Sequence, residues 1–211
     1  MKLFIYEHCP FCARASMIFG LKDIPFEPCI IMEGDVETPT RMVGRKVVPI
    51  LQKDDGSYMP ESMDIVHYVD SLKAPLVADK PVDPAIEAWS KAAAGTIFNL
   101  AVPRFTKADF KELAQPEARQ AYLQREEKAF GDLDALLADT PAMISDVQQQ
   151  LAALEPLLAQ HADISTTDFI LFPILRSLTI VKGIKLGPNV SRYVERVANA
   201  TKVDLLTDKA L

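Results

Sequence analysis

The 211-residue sequence has no surplus of positive charge, because 23 Lys and Arg residues face 29 Asp and Glu residues and the formal net charge is −6. Binding to a phosphate backbone requires basic residues that displace counterions, and no run of five or more Lys or Arg occurs. We therefore expect no nucleic-acid partner. The 49% hydrophobic and 25% charged residues are typical of a folded globular chain.

Long apolar runs are missing as well. Stretches such as residues 169–175 end far short of the roughly 18 residues that a transmembrane helix needs. The apolar segment Leu3–Tyr6 is also much shorter than the roughly 7 to 15 residues of a signal peptide. We therefore expect neither a membrane span nor export, and we place the protein in the cytoplasm.

Cysteine is scarce and odd in number, with only Cys9, Cys12 and Cys29. Three cysteines make a poor disulfide framework, whereas two cysteines three positions apart in a cytosolic chain indicate redox chemistry or metal binding. Cys29 lies in an apolar predicted strand, where a free cysteine usually acts as a small buried hydrophobe. Cys9 and Cys12 are therefore the first candidates for chemistry.

Residues 1–72 alternate short predicted strands and helices. Thr38-Pro39 has the form of an N-cap followed by proline at the first helical position, and Ser62 is the predicted N-cap of another helix. The segment Asp54-Asp55-Gly56 is a turn signal between two strands. The predicted strands cover residues 2–6, 26–32, 47–52 and 57–59, and the predicted helices cover 10–21, 39–43 and a segment from 62 onward. The order βαβαββα defines an α/β domain.

Residues 73–84 carry three prolines without periodicity and are a predicted linker. From residue 85 to 211, apolar residues recur at spacings of three and four, which predicts an all-helical domain. This spacing holds for Ile86, Trp89, Ala93, Ile97 and Leu100, and again for Ile144, Val147, Leu151, Leu154 and Leu158. Ser165 and Asp168 form a predicted capping box for a helix that runs toward Lys182, so we assign Asp168 to folding rather than catalysis.

The segment Cys9-Pro10-Phe11-Cys12 follows a predicted strand and opens a predicted helix. As N-cap, Cys9 meets the unpaired N–H groups and the positive end of the helix dipole, which favour its thiolate. Such surroundings lower a thiol pKa from about 8.5 to roughly 3.5 to 7.5. Cys12 lies one turn away, within disulfide reach, and closing so short a loop contributes only about 2 kcal/mol. Cys9 is thus the predicted nucleophile and Cys12 the resolving thiol of a reversible disulfide.

A metal site is the main alternative for the two cysteines, but a closed zinc site needs four ligands. The remaining candidates have no second cysteine pair among them; they are Cys29, His8, His67 and His161. We therefore predict no metal. His8 either tunes the Cys9 thiolate or is a solvated loop residue, and we interpret His67 as structural.

The segments 9–12, Val48-Pro49 and Glu61-Ser62 resemble the glutaredoxins, and the helical second domain resembles the larger, glutathione-transferase-shaped members of that family. The resemblance covers the whole chain. It implies a thioredoxin-like fold for the first domain, a glutathione-transferase-like fold for the second, and a monomer. The chain departs from the commonest motif by carrying Phe11 in place of Tyr, and Val48 in place of the Thr of small glutaredoxins.

The resemblance also assigns roles to residues. Cys9 attacks, the Val48 backbone holds the cysteinyl part of glutathione, Pro49 forms a cis peptide bond, and Glu61 and Ser62 receive the γ-glutamyl end. A helix N-terminus and a carboxylate suit that end of the tripeptide. Candidates for the second glutathione carboxylate are Arg41, Arg45 and Lys46, and the alternative for each of them is a solvated surface side chain.

The function implied is a glutathione-dependent thiol–disulfide oxidoreductase that reduces protein disulfides and glutathionylated cysteines. Glutathione is the co-substrate, and no bound cofactor is required. Two alternatives stay open: a glutathione transferase that conjugates electrophiles, and a noncatalytic module that holds a metal or an iron–sulfur cluster through Cys9. The Cys9–Cys12 pair argues against a transferase, because a reactive thiolate would exchange with oxidised glutathione and hold one glutathione in a mixed disulfide, which is then not free to attack an electrophile.

Overall fold

A computed structural model describes residues 1–77 and 81–211 of the chain. Its first part contains strands β1–β4 and helices α1–α3 in the predicted order βαβαββα. The elements are β1 (Lys2–Ile5), α1 (Pro10–Leu21), β2 (Glu27–Ile30), α2 (Glu37–Val43), β3 (Ile50–Gln52), β4 (Tyr58–Pro60) and α3 (Ser62–Ser71). Three of the four strands are shorter than predicted, because the apolar pattern continues past the last paired residue.

The four strands form one mixed sheet in the order β2-β1-β3-β4. Strand β1 pairs in parallel with β2 and antiparallel with β3, with Leu3 opposite Leu51. Both leucines are fully buried in a core that includes Ile65 and Val69 of α3. Since β1 is a central strand, the loop at its carboxyl end leads directly from the middle of the sheet to the start of α1.

Two predicted helix starts are wrong by one or two residues. Helix α2 begins at Glu37 rather than Pro39, and the Asp35 carboxylate accepts a hydrogen bond from the Thr38 N–H at 2.9 Å. Helix α3 has Glu61 as its N-cap, with φ of 72°, so Ser62 is the first helical residue rather than the cap. A positive φ at a non-glycine residue depends on the surrounding structure, and the local sequence pattern therefore missed it.

The second part is helical throughout its described elements, as predicted. Its helices are α4 (Pro84–Phe105), α5 (Pro116–Phe130), α6 (Leu133–Ala138), α7 (Thr140–Leu158), α8 (Thr166–Leu178) and α9 (Pro188–Thr201), with short 3₁₀ turns at Lys111–Leu113 and Thr207–Lys209. No described helix is long and apolar enough to cross a membrane. Of the predicted linker, residues 78–80 lie outside the described residues.

The capping box at the start of α8 is confirmed. The Asp168 carboxylate accepts the Ser165 N–H at 2.7 Å, and the Ser165 hydroxyl accepts the Thr167 N–H at 3.3 Å. Asp168 is fully buried and also contacts His161 at 2.9 Å. Helix α8 ends at Leu178, earlier than predicted. Asp168 is thus fully engaged in the start of this helix.

Helix α1 lies between the sheet and the helical domain. It packs against α3 on one side and against α8 and α9 on the other. A Cβ atom placed on Gly20 would lie 1.7 Å from the Thr201 carbonyl oxygen, so only glycine permits this approach of α1 to the end of α9. The helix that carries both cysteines of the motif is therefore in direct contact with both domains.

Candidate active site

Cys9 stands where the loop after β1 meets α1. It is the N-cap of α1, Pro10 is the first helical residue, and the cap backbone is extended with φ of −67° and ψ of 124°. The Cys9 side chain forms no capping hydrogen bond and is only 8% exposed. The predicted placement of Cys9 at the helix N-terminus is confirmed.

The surroundings of Cys9 favour its thiolate. A hydrogen bond from the Cys12 thiol lowers the Cys9 pKa, burial opposes this effect, and the charge of His8 and the backbone amides of Cys12 and Phe11 lower it further. The net result is a Cys9 pKa lowered from 9.0 to about 7. A large part of the Cys9 population is therefore thiolate at neutral pH, which is the form that attacks disulfides.

Cys12 has the opposite character although it belongs to the same motif. It is 1% exposed, and its sulfur accepts a hydrogen bond from the Tyr6 N–H at 3.4 Å. Burial raises the Cys12 pKa well above 9.0, and the hydrogen bond to Cys9 and the charge on Cys9 raise it further. Cys12 is therefore a protonated thiol beside a thiolate, and both cysteines are free in this structure.

The peptide bond between Val48 and Pro49 is cis, as the resemblance implies. Val48 packs against a buried cluster of Tyr6, Cys9, Cys12 and Ile31. The structure therefore brings Val48 and the two cysteines together.

A cavity of about 430 Å³ opens beside Cys9 between the two domains. It is lined mainly by apolar and aromatic side chains, with a few charged groups. From the α/β domain it receives Cys9, Phe11, Lys46 and Val48, and from the helical domain Phe98, Phe105, Tyr122, Arg125 and Phe130. A sulfur that reacts with Cys9 therefore has to enter between the domains.

Glu61 and Ser62 lie outside the lining of this cavity, at the start of α3. The Glu61 carboxylate is exposed and accepts a hydrogen bond from Arg45 at 2.5 Å. The buried Ser62 hydroxyl accepts a long hydrogen bond of 3.4 Å from Arg14 of α1. Arg14 thus links the start of α3 to the helix that carries the cysteines.

The three basic candidates for a second carboxylate differ in position. Arg41 is largely exposed and contacts only Glu37, one turn earlier on α2, at 3.5 Å among the described residues. Lys46 lines the cavity and lies 3.5 Å from the buried Glu33. Arg45 pairs with Glu61. Lys46 is therefore the one of the three that lines the cavity, Arg45 contacts the candidate residue Glu61, and Arg41 does neither among the described residues.

His8 is buried, so the solvated-loop alternative is wrong. Its ring Nδ1 lies 2.7 Å from a Glu112 carboxylate oxygen, and its backbone N–H donates to the same oxygen at 3.0 Å. The ring stacks on Tyr6 and contacts Tyr122 with centroids 4.7 Å apart. A residue of the loop before Cys9 is thus held by a carboxylate from the helical domain.

Sequence patterns missed Arg14, Glu112 and Arg125 as residues of this region. Arg125 lines the cavity and pairs with Glu33 at 2.8 Å. Each of these side chains has a partner that is remote in sequence, so no local motif marks it.

Cys29 is only partly buried on the edge strand β2, contrary to the expectation of a buried hydrophobe. Among residues 1–77 and 81–211, no group of three or more metal-ligating side chains occurs.

Both parts of the chain match models of known protein families. The model described as "Glutaredoxin 2, C terminal domain" matches residues 85–210, and the model described as "Glutathione S-transferase, N-terminal domain" matches residues 3–76. Glutaredoxin 2 of Escherichia coli strain K12 is 46% identical over 216 residues, with 100% of both chains covered.

Solved structures give the same result. Glutaredoxin 2 from Salmonella typhimurium, crystallised in complex with glutathione, is 45% identical with a TM-score of 0.96 and covers 100% of this chain and 98% of that chain. Gtt2 from Saccharomyces cerevisiae is 14% identical with a TM-score of 0.60, covering 96% of this chain and 99% of that chain, and it is similar in fold alone. The predicted thioredoxin-like domain followed by a transferase-like helical domain is confirmed.

Proposed function

The chain belongs to the glutaredoxin 2 family, and we propose that it is a glutathione-dependent thiol–disulfide oxidoreductase with Cys9 as its nucleophile. The observation that carries this proposal is the Cys9 sulfur at the N-terminus of α1, with a pKa lowered to about 7 and a cavity beside it. The relative from Salmonella typhimurium binds glutathione in its crystal structure, which supports glutathione as the co-substrate here.

In the first step the Cys9 thiolate attacks one sulfur of a protein disulfide or of a glutathionylated cysteine. A bond forms between Cys9 and that sulfur, the substrate S–S bond breaks, and the leaving thiolate takes a proton from solvent. The cavity beside Cys9 gives the approaching sulfur its route. The product is a mixed disulfide on Cys9.

The mixed disulfide is resolved in one of two ways. The Cys12 thiolate attacks Cys9, releases the bound thiol and closes a disulfide, which two glutathione molecules then reduce; otherwise one glutathione attacks the mixed disulfide directly. Burial keeps the Cys12 pKa high, but the contribution of the Cys9 charge disappears once Cys9 is in a mixed disulfide. Formation of the intermediate therefore lowers the barrier to ionising the resolving thiol.

We assign glutathione to the surface between Cys9 and the start of α3. The Val48 backbone beside the cis Pro49 would bind the cysteinyl part, and Glu61 with the N-terminus of α3 at Ser62 would bind the γ-glutamyl end. The ammonium group suits the exposed Glu61 carboxylate, and the α-carboxylate suits the N–H groups at a helix start. Lys46, a cation of the cavity lining, is our candidate for the second carboxylate.

The setting of this reaction is part of the proposal. We place it in the cytoplasm, where the glutathione pool keeps a dithiol reduced, with disulfide-bonded and glutathionylated proteins as substrates. The chain would act as a monomer. Its domains would be residues 1–72 and 85–211, joined by the linker 73–84, and the family matches at residues 3–76 and 85–210 support this division. Neither a metal nor a bound organic cofactor takes part in the steps above.

The test is turnover of a mixed disulfide between glutathione and a small thiol, coupled to NADPH through glutathione reductase. The native protein should be active, and the Cys9→Ser variant should lose at least about a thousandfold because the attacking thiolate is gone. The Cys12→Ser variant should keep this activity but lose reduction of a protein disulfide. An inactive native protein would overturn the proposal, and conjugation of an aromatic electrophile would then identify a transferase.

A further inference from the structure

His8 and Glu112 form a buried pair that joins the two domains just before Cys9. His8 is 5% exposed and Glu112 is 0% exposed. Glu112 belongs to the 3₁₀ turn Lys111–Leu113 of the helical domain, and one of its carboxylate oxygens accepts both the His8 N–H at 3.0 Å and the His8 ring at 2.7 Å. The residue next to the nucleophile is thus fixed by two bonds to the other domain.

Glu112 is ionised at neutral pH in spite of its burial. Burial opposes ionisation, but the hydrogen bonds and the charge of His8 lower the Glu112 pKa below its ordinary value. An ionised carboxylate only accepts hydrogen bonds, so Nδ1 of His8 carries the proton of the shared bond. Among the described residues the second Glu112 oxygen has no hydrogen-bond partner. A buried charge kept with incomplete pairing calls for an explanation.

We propose that Glu112 is a positioning residue for thiol exchange, which fixes the His8 ring from the helical domain and through it sets the reactivity of Cys9. The inference rests on the proposed function only in naming the reaction, because the reactivity of Cys9 is measurable without glutathione. The sequence distance of 104 residues between His8 and Glu112 makes this reactivity depend on the contact between the domains.

The sign of the effect separates positioning from a simple charge effect. A carboxylate near a thiolate disfavours it by repulsion, whereas the charge of His8 lowers the Cys9 pKa. If Glu112 acts only as a nearby charge, its removal favours the Cys9 thiolate. If Glu112 acts by holding the His8 ring in place beside Cys9, its removal weakens the effect of His8 on the sulfur and disfavours the thiolate.

Few other groups complicate the measurement between pH 5 and 9. Burial raises the pKa of Tyr6 and of Tyr122, and it also raises that of Cys12. The charged and titratable groups facing His8, Cys9 and their cavity come from both domains. They are Tyr6, Cys12, Arg14 and Lys46 from the α/β domain and Glu112, Tyr122, Arg125, Glu126 and Arg176 from the helical domain. The midpoint of reactivity in this range therefore reports the Cys9 thiol.

The experiment is the pH dependence of Cys9 alkylation by iodoacetamide on the reduced full chain. Glu112→Gln should move the midpoint upward by about half a pH unit or more, which is about a threefold slower alkylation below the midpoint. His8→Gln should shift it similarly, because an amide N–H can still bond to Glu112 but cannot carry charge. In the Glu112→Gln/His8→Gln double variant, no further shift should appear beyond the single variants.

Glu7→Gln is the matched control. Glu7 lies on the same loop, and its carboxylate accepts the Lys111 N–H at 3.0 Å from the same 3₁₀ turn and pairs with the Lys111 ammonium at 2.9 Å rather than with the His8 ring. It should leave the midpoint unchanged. An unchanged or lowered midpoint in Glu112→Gln, or an equal rise in Glu7→Gln, would overturn the inference.

The role of Glu112 remains testable even if the Glu112→Gln variant does not fold. If circular dichroism shows that Glu112→Gln is unfolded, His8→Gln decides: an upward shift supports the inference and no shift overturns it. A native protein without glutathione-dependent turnover would refute the proposed function, while the alkylation midpoints would still decide the role of Glu112.

Discussion

The two domains contribute to Cys9 in different ways. The α/β domain provides groups close in sequence or packed directly on the sulfur, namely the Cys12 thiol, the amides of α1 and Val48. The helical domain provides groups that hold the catalytic segment from a distance in the chain. Arg176 of α8 donates to the Glu7 carbonyl at 3.1 Å, and the Phe169 carbonyl accepts the Arg14 side chain at 2.6 Å.

Because of this difference, we expect substitutions in the two groups to affect different properties, namely the reactivity of Cys9 and the stability of the fold. Groups at a helix N-terminus change a thiol pKa through one or two hydrogen bonds, and their removal leaves the packed core intact. Buried charges with remote partners, once removed, leave other polar groups unpaired in a medium of low polarity. We therefore expect substitutions of buried helical-domain charges with remote partners to reduce the free energy of unfolding, and substitutions of α/β-domain groups at the helix N-termini to change reactivity or affinity at nearly constant stability.

The largest effect is expected for Arg176→Leu. Arg176 is 7% exposed and donates to the Asp204 carbonyl at 2.7 Å as well as to Glu7. Its removal leaves two carbonyls unpaired and should lower the free energy of unfolding in urea by about 3 kcal/mol. The exposed Arg192 provides the control, and Arg192→Leu should change this free energy by less than about 0.5 kcal/mol. Similar values for both variants would contradict the stabilising role of buried helical-domain charges with remote partners.

Gly20→Ala is expected to have the next largest effect. Its new Cβ would meet the Thr201 carbonyl, a backbone atom that cannot rotate away, so α1 and α9 have to separate. We expect a loss of about 2 kcal/mol in the free energy of unfolding, which chemical denaturation measures.

Gly95 on α4 is the matched control for Gly20, because a Cβ there meets nothing within 4 Å. Gly95→Ala should raise the free energy of unfolding by about 0.5 to 1 kcal/mol through helix propensity. Equal changes in the two alanine variants would show that the contact between α1 and α9 does not hold the domains together.

The same contrast explains what could be predicted from the sequence. The start of α1 at Pro10 and the capping box at Ser165 depend on neighbours within four residues, and both predictions are confirmed. The pairing of Arg176 with Glu7 joins residues 169 positions apart, and no periodicity or spacing marks it. The Glu61 N-cap was missed for a related reason, since its positive φ is set by the turn between β4 and α3.

Cys12→Ala tests the α/β side of the comparison. The Cys12 thiol is the largest cause of the lowered Cys9 pKa, so its removal should move the Cys9 alkylation midpoint from about 7 toward 9.0. A rise of about one pH unit corresponds to a roughly tenfold smaller thiolate fraction at low pH. Alkylation increases with pH in both proteins, because the thiolate is the reactive form.

The control for Cys12→Ala is Cys29→Ala on the edge strand, which should leave the midpoint unchanged. The free energy of unfolding of Cys12→Ala should fall far less than that of Arg176→Leu. A midpoint that stays near 7 would show that the N-terminus of α1 and His8 are sufficient to stabilise the thiolate.

The smallest effect is expected for Glu61→Gln, at the exposed end of the proposed glutathione site. The variant keeps the shape of the side chain but loses the charge that would pair with the glutathione ammonium, so the KM for glutathione should rise about threefold to fivefold while kcat stays constant. Asp64→Asn removes the same charge from the first turn of the same helix and should leave KM unchanged. Equal rises in KM in both variants would mean that the total charge at the start of α3, rather than the position of Glu61, determines the affinity for glutathione. The α/β domain would then attract glutathione through its net charge rather than through a specific contact.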